Sequence, residues 1–342
     1  MKRACLALFV LVACGGPPPK SADEGGDPNA PLGPSTLAAT PDPKAPPAEP
    51  ASSPDVDRGA KLLERGDLPG AKTAFEAAVA KNKDDAEAHY YLGLIADQQG
   101  DKAKAEKEYG DALRVRPHLE AAAVNLGALY IDSGRLDDAL RITKKALEKQ
   151  KDSAQLHSNL AVALAQKGGS EVESGKEFET AGKLAPKDAM VALTHGMWLG
   201  KWKQTDAAKA RLKAARDLAG DDVGILASAG FELKNVGAFA DCIGALDRAI
   251  AKKDAAELRT YRALCKLGEK DKPGALGDLQ AAVKNEPGYG PAHFYLGGRF
   301  AEDGKREDAI AQYEAYVKLE PKGPLAQTAG ERIKILKEKK KK

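Results

Sequence analysis

The sequence predicts an all-α fold, an α-solenoid of stacked helix hairpins preceded by a disordered proline-rich linker, and three observations carry that expectation. The first is a repeat. Gly93, Gly127, Gly196, Gly230 and Gly297 share one phase with Ala161 and Ala263, and the steps between them are 34, 34, 35, 34, 33 and 34 residues. The second is what else keeps that phase. Ala71, Ala105, Ala139, Ala208, Ala275 and Ala309 form a small-residue series, and Phe75, Tyr109, Phe178, Leu212, Leu246, Leu279 and Tyr313 form a bulky one. The third is punctuation at fixed offsets by turn glycines and helix-ending prolines such as Gly100 and Pro117. A period of this length marks supersecondary units that bury their apolar faces only by stacking on neighbours.

From the N-terminus, Met1–Cys14 pairs a basic start (Lys2, Arg3) with a ten-residue apolar run, Ala4–Ala13. A membrane-spanning helix needs about 20 apolar residues, so the run reads as a signal peptide over 1–13. Leu11-Val12-Ala13-Cys14 resembles the bacterial lipobox, which implies acylation of Cys14 and anchoring to a lipid membrane. Gly15 rather than Asp follows the cysteine, which by the same resemblance favours the outer membrane, facing the periplasm. Residues 14–54 then hold the lipidated cysteine and a linker. Residues 15–54 carry 12 of the 20 prolines and few large apolar groups, a composition that cannot offset the entropy of folding.

Residues 55–323 hold about eight repeats, with units at 52–85, 86–119, 120–153, 154–188, 189–222, 223–256, 256–289 and 290–323. In 86–117 the order is Leu92-Gly93, then Gly100-Asp101, then Ala105, Tyr109, Ala112 and Pro117. Two helices separated by a Gly turn follow from it, and Pro117 stops the second because it lacks an amide hydrogen. Four units depart from the pattern. Arg58 replaces Leu in the first, whose opening helix is expected to be short, and Thr143 replaces the aromatic in the third. An extra residue sits near Gly168-Gly169-Ser170 in the fourth, and the seventh has no turn glycine in register. Residues 324–342 read as one amphipathic capping helix, with Leu325, Ile333, Ile335 and Leu336, and a basic tail.

The Leu-Gly, aromatic, Gly, Ala, aromatic, Ala, Pro order resembles the tetratricopeptide repeat over about four-fifths of the chain. The resemblance implies a right-handed superhelix whose first helices line a concave groove for extended protein or peptide segments. The positions that carry over are Tyr90, Tyr91 and Leu94; Val124, Asn125 and Ala128; Ser158, Asn159 and Val162; Leu193, Thr194 and Met197; and Phe231. In such proteins an asparagine at the phase shared by Asn125 and Asn159 often holds the peptide backbone. The basic residues of the carboxylate-clamp subclass have no counterpart, since Val124 and Ser158 stand in their place.

Chemistry is otherwise sparse. His89, His157 and His293 are separated by 68 and 136 residues, so they occupy one structural slot spread along the stack, too far apart to share a metal ion. His118 and His195 are isolated, and packing is the expectation for all five, with no metal and no cofactor. Trp198 and Trp202, four apart on one helix face, read as core sooner than as a ligand platform. Cys242 and Cys265 fall on neighbouring helices; two buried thiols are the favoured reading, with a disulfide open in an oxidising compartment. Charge of both signs is interleaved around a net +3, without the basic stripe that nucleic-acid binding requires. No nucleophile elbow, zinc helix or phosphate loop occurs. A non-enzymatic envelope adaptor is therefore expected, with a regulatory subunit, an assembly factor of the secretin-pilotin or cell-wall hydrolase adaptor kind, or a self-associating structural spacer as alternatives.

Overall fold

The computed structural model describes residues 53–168 and 171–338. The signal sequence, Cys14, nearly all of the linker, residues 169–170 and the last four lysines lie outside the described residues. Among those described there are 17 helices and no strand, and the helices pair as hairpins. The pairs are α1 (Pro54–Glu64) with α2 (Leu68–Lys81), α3 (Ala86–Gln98) with α4 (Lys102–Val115), α5 (Glu120–Asp132) with α6 (Leu136–Leu147), and α7 (Ala154–Lys167) with α8 (Glu171–Leu184). They continue as α9 (Ala189–Lys201) with α10 (Thr205–Leu218), α11 (Val223–Asn235) with α12 (Phe239–Lys252), α13 (Ala256–Gly268) with α14 (Lys272–Asn285), and α15 (Gly290–Glu302) with α16 (Arg306–Leu319). A last helix, α17 (Ala326–Glu338), follows.

The repeating glycine is the hinge of each hairpin's packing. A methyl group on Gly93 would lie 2.6 Å from Tyr109 Cδ1, and one on Gly230 would lie 2.8 Å from Leu246 Cγ. The small residue thus lets the bulky side chain of the second helix cross directly over the first, where Tyr109 and Leu246 are fully buried. The first helices begin on capping side chains in most repeats. Asp85 accepts from Ala88 N at 3.0 Å, Ser153 from Leu156 N at 3.2 Å and Asp222 from Ile225 N at 2.9 Å, filling orphan donors at the helix start. Helix α1 has 11 residues against 13 for α3, α5 and α9, short as expected; it is short at its start, where Pro54 follows the Ser53 cap, and Arg58 lies within it.

Most turns between paired helices use a glycine in the left-handed region, as at Gly100 (φ 78°) and Gly304 (φ 74°). The fifth and seventh hairpins place Lys203 (φ 61°) and Lys270 (φ 64°) there instead. The turn of the seventh unit is therefore in register, and what is missing is only the residue type that tolerates the conformation without strain. Pro69 and Pro273 stand in the first turns of α2 and α14, where a missing N–H costs nothing.

Successive first helices touch one another, α5 with α7, α7 with α9, α9 with α11, and so on to α15, whereas successive second helices scarcely meet. The crowded layer lies on the inside of the curve, so the first helices form the concave wall. The buried residues fall into several clusters strung along the chain rather than one central mass, as nearest-neighbour stacking requires. Helix α17 packs on α16 and places Arg332 over the Phe294 and Tyr313 rings, 5.2 Å and 5.7 Å from their centroids. Leu325, Ile333 and Leu336 join the terminal cluster, while Ile335 faces outward, 53% exposed.

Candidate functional site

The concave wall is built from positions three and four residues apart on the first helices, which helical spacing puts on one face. Tyr90, Tyr91 and Leu94 on α3, Val124 and Ala128 on α5, Asn159 and Val162 on α7, Thr194 and Met197 on α9, and Phe231 on α11 are all half-buried there. Three of the positions carried over from the sequence do not reach this surface. Leu193 is 2% exposed, Asn125 5% and Ser158 9%. One residue along a helix turns a side chain by about 100°, and at these positions that turn directs the group into the contact between hairpins.

The two asparagines show what their phase is for. Asn125 donates from Nδ2 toward the Tyr109 hydroxyl of the preceding repeat, 3.4 Å away. At the equivalent point one repeat later the bulky residue is Thr143, too short to reach. Asn159 instead donates to the Val124 carbonyl at 2.8 Å, and the buried Thr143 hydroxyl is left without a partner. Both asparagine amides are thus drawn into contacts between adjacent hairpins.

The structure adds residues that the phase argument passed over. Tyr261 on α13 packs against Phe231 at a tilt, ring centroids 4.0 Å apart, and Tyr295 on α15 continues the row, half-buried. At the other end Tyr91 lies flat on Phe75 at 4.7 Å. Carboxyl groups accompany the rings. Desolvation by the surrounding wall pushes half-buried Asp97 and the exposed Asp132 above the ordinary carboxylate range, with Lys102 opposing the shift, and repulsion from Asp97 adds to it at Asp132. Glu232, next to Phe231, is raised in the same way. Asp97 sits one turn beyond Leu94, and Asp132 one turn beyond Ala128, so both belong to the wall.

The tryptophans are core. Trp198 is buried, and Trp202 meets Phe178 edge-on at 6.2 Å. His195 stacks on Phe178, 5.1 Å away and nearly parallel. Burial first, and the Arg211 charge second, depress its pKa to about 4, so it is a neutral packing group at pH 7.

Three of the other four histidines have a common task, and His118 is exposed apart from them. His89 Nε2 meets the Lys83 carbonyl at 3.0 Å, His157 Nε2 the Lys151 carbonyl at 2.9 Å, and His293 Nε2 the Pro287 carbonyl at 3.0 Å. Their Nδ1 atoms meet Glu108, Glu177 and Gln312 on the partner helix at 2.7, 2.6 and 2.7 Å. Arg259 and Asp278 fill the same two positions in the seventh repeat, 3.5 Å apart. Burial favours the neutral acid at Asp278, but hydrogen bonds from Arg262 and Lys266 outweigh it and hold the pKa below the usual value. The slot is a polar clasp between the two helices of a hairpin. Spacing between repeats separates one histidine from the next, but it does not show that each of these three has a polar partner within its own hairpin; pairing them with position +19 or +20 would have found it.

Cys242 and Cys265 form a disulfide between α12 and α13, with Cα atoms 6.3 Å apart. This corrects the expectation of two separate thiols. Cys242 stands in the small-residue phase, as the sequence indicates, but the facing position on α13 brings the second sulfur to it within bonding reach. Among the described residues no helix is long and apolar enough to cross a membrane.

Two family profiles, both described as tetratricopeptide repeat, match residues 56–120 and 267–324 and residues 98–163. The chain carries tetratricopeptide repeats. Among solved structures, the Cut9–Hcn1 hetero-tetramer of the APC/C aligns at 14% identity with a TM-score of 0.55, covering 82% of this chain and 55% of that one. Yeast Tom70 aligns at 14% identity with a TM-score of 0.53, covering 86% of this chain and 65% of that one. At such identity the likeness concerns the fold. A probable biofilm formation methyltransferase, WspC, of Pseudomonas putida is 30% identical over 94 residues, 28% of this chain but only 22% of the relative. The Pseudomonas aeruginosa counterpart is 32% identical over 105 residues, 30% of this chain and 25% of its own. The chain thus spans a quarter or less of these relatives, and the match lies in the repeats. Tetratricopeptide repeats are protein-interaction scaffolds, typically without catalytic activity.

Proposed function

We propose that this tetratricopeptide-repeat protein is a lipid-anchored envelope adaptor that holds an extended segment of a partner protein along its concave wall. The observation that carries the reading is the uncovered row of half-buried apolar and aromatic groups, Tyr91, Leu94, Val162, Met197, Phe231 and Tyr261, accompanied by Asp97, Asp132 and Glu232. Rings and methyl groups in half-exposed rows accept alternate side chains of an extended chain, and carboxyl groups beside them suit basic residues of that chain. The leader and Cys14 support tethering, because several acyl chains on one cysteine bind a bilayer durably. A buried disulfide is in keeping with an oxidising compartment outside the cytoplasm.

Affinity capture from crosslinked envelopes tests the binding arm. A Leu94→Ser, Met197→Ser, Phe231→Ser variant with unchanged helicity is expected to lose the captured partner, and Lys144→Glu, on the exposed face of α6, is expected to keep it. Equal recovery by both would overturn the groove. Cys14→Ser tests the anchor separately: release of the protein from membranes is expected, and retention would remove the lipid reading while leaving the groove untouched.

A further inference from the structure

The histidine clasp of the second repeat has a chemical oddity that its counterparts only partly share. A backbone carbonyl accepts and never donates, so His89 Nε2, 3.0 Å from the Lys83 oxygen, carries its hydrogen. Nδ1 then directs a lone pair at Glu108 Oε2, 2.7 Å away, and an ionised carboxylate also only accepts. Something positive has to sit between these two atoms, either a proton or a cation. The pair is buried, His89 6% exposed and Glu108 8%. His157 and Glu177 pose the same demand in the fourth repeat, whereas Gln312, facing His293, can turn its amide and donate.

The second repeat adds a third donor. Asp111 stands one turn after Glu108 on α4, at the position that Thr180 and Ala315 occupy in the other two histidine repeats. Ligand atoms of His89, Glu108 and Asp111 all lie within 4.8 Å of one another. A cation is already drawn to the carboxylates: Lys107 Nζ is 3.0 Å from Asp111 and 3.5 Å from Glu108. Its side chain is 67% exposed and can swing into solvent. Arg114 approaches Asp111 at 3.6 Å but also reaches Asp84.

We propose that His89, Glu108 and Asp111 bind a divalent transition-metal ion of the zinc type, which replaces the shared proton and displaces the Lys107 ammonium. One imidazole nitrogen with two carboxylates is a zinc-like donor set, with water completing a tetrahedron, whereas magnesium and calcium prefer oxygen alone. Two ionised carboxylates balance the charge of the ion. The bond from Nε2 to the Lys83 carbonyl fixes the tautomer that leaves Nδ1 free to ligate, an arrangement common behind metal-bound histidines. The ion fastens α3 to α4 and to the loop before α3. It is a structural site beneath the Tyr90–Tyr91 end of the groove, independent of what the groove binds.

The test is calorimetric titration of the tag-free full chain, stripped with chelator, with zinc chloride alone, accompanied by the visible spectrum of the cobalt-loaded protein. One ion per chain and a cobalt spectrum of tetrahedral type are expected. Asp111→Thr copies the fourth repeat and is expected to weaken binding at least about tenfold. Lys107→Met removes the competing ammonium and is expected to tighten it up to about fivefold. Lys107 is 67% and Asp111 28% exposed, and unchanged helicity of both variants shows that the fold is kept. No binding at 100-fold excess zinc over protein, or binding that neither substitution alters, overturns the site.

Discussion

The same substitution at two equivalent glycines is expected to have opposite effects. Gly93 and Gly127 are one period apart on α3 and α5, yet they face different partners. A Cβ at Gly93 meets the ring of Tyr109 at 2.6 and 2.7 Å, and that ring is fully buried with its hydroxyl held by Asn125. Overpacking of this kind costs about 1–3 kcal/mol, and the gain in helix propensity from Gly to Ala returns about 1 kcal/mol. Gly93→Ala should therefore lose up to about 2 kcal/mol. At Gly127 the nearest atoms are Thr143 Oγ1 at 3.1 Å and Asn159 Nδ2 at 3.2 Å, the ends of short groups that yield by a few tenths of an ångström. The propensity term then dominates, and Gly127→Ala should lie between neutral and about 1 kcal/mol more stable. Because stacked repeats need not melt as one unit, the assay is hydrogen exchange resolved by helix. Faster exchange confined to α3, α4 and their neighbours is expected for Gly93→Ala, with unchanged or slower exchange in α5 and α6 for Gly127→Ala. If both variants loosen their hairpins equally, the inferred crossing of helix over helix is wrong.

Three further outcomes follow from individual groups. Thr143→Val removes a buried hydroxyl that has no partner, and a rise in stability of about 1 kcal/mol is expected in denaturant titration; a loss would mean the hydroxyl is bonded after all. Replacing Cys242 and Cys265 by alanine opens a link across 23 residues, which the chain-entropy account values at about 3 kcal/mol; exchange should quicken in α12 and α13, and an unchanged pattern would argue against the bond. His195 has its pKa lowered to about 4 by burial, so it favours the fold fully above the unfolded value of about 6.5 and loses that contribution as pH falls toward 4. The loss is about 3 kcal/mol over that window, and His195→Phe should flatten the acid limb of the stability curve between pH 6.5 and 4.

Much of this architecture is legible in the sequence because a close crossing imposes its own period. Gly93 with Tyr109 and Gly230 with Leu246 are contacts whose spacing and residue sizes both recur, so the hairpins announce themselves. The turns at Lys203 and Lys270 are not legible, since a left-handed lysine carries no compositional mark. The groove is half legible. Periodicity names the first helices as its wall, but separating Val124 from Asn125, or Thr194 from Leu193, requires the roll of each helix against its neighbour. The disulfide and the His89–Glu108–Asp111 cluster were hidden for a related reason. Both depend on which side chains face across a crossing, a relation between helices that no single repeat displays.

The central claim is that the concave wall receives a polypeptide in extended form. Its most direct measurement places a photoactivatable residue in turn at positions 94, 162, 197 and 231, with position 144 as the outer-face control, and maps the adducts formed in intact cells by mass spectrometry. Adducts from the four inner positions should fall in order along one short stretch of a single partner, with none from position 144. Adducts scattered over a folded partner surface, or arising chiefly from position 144, would contradict it.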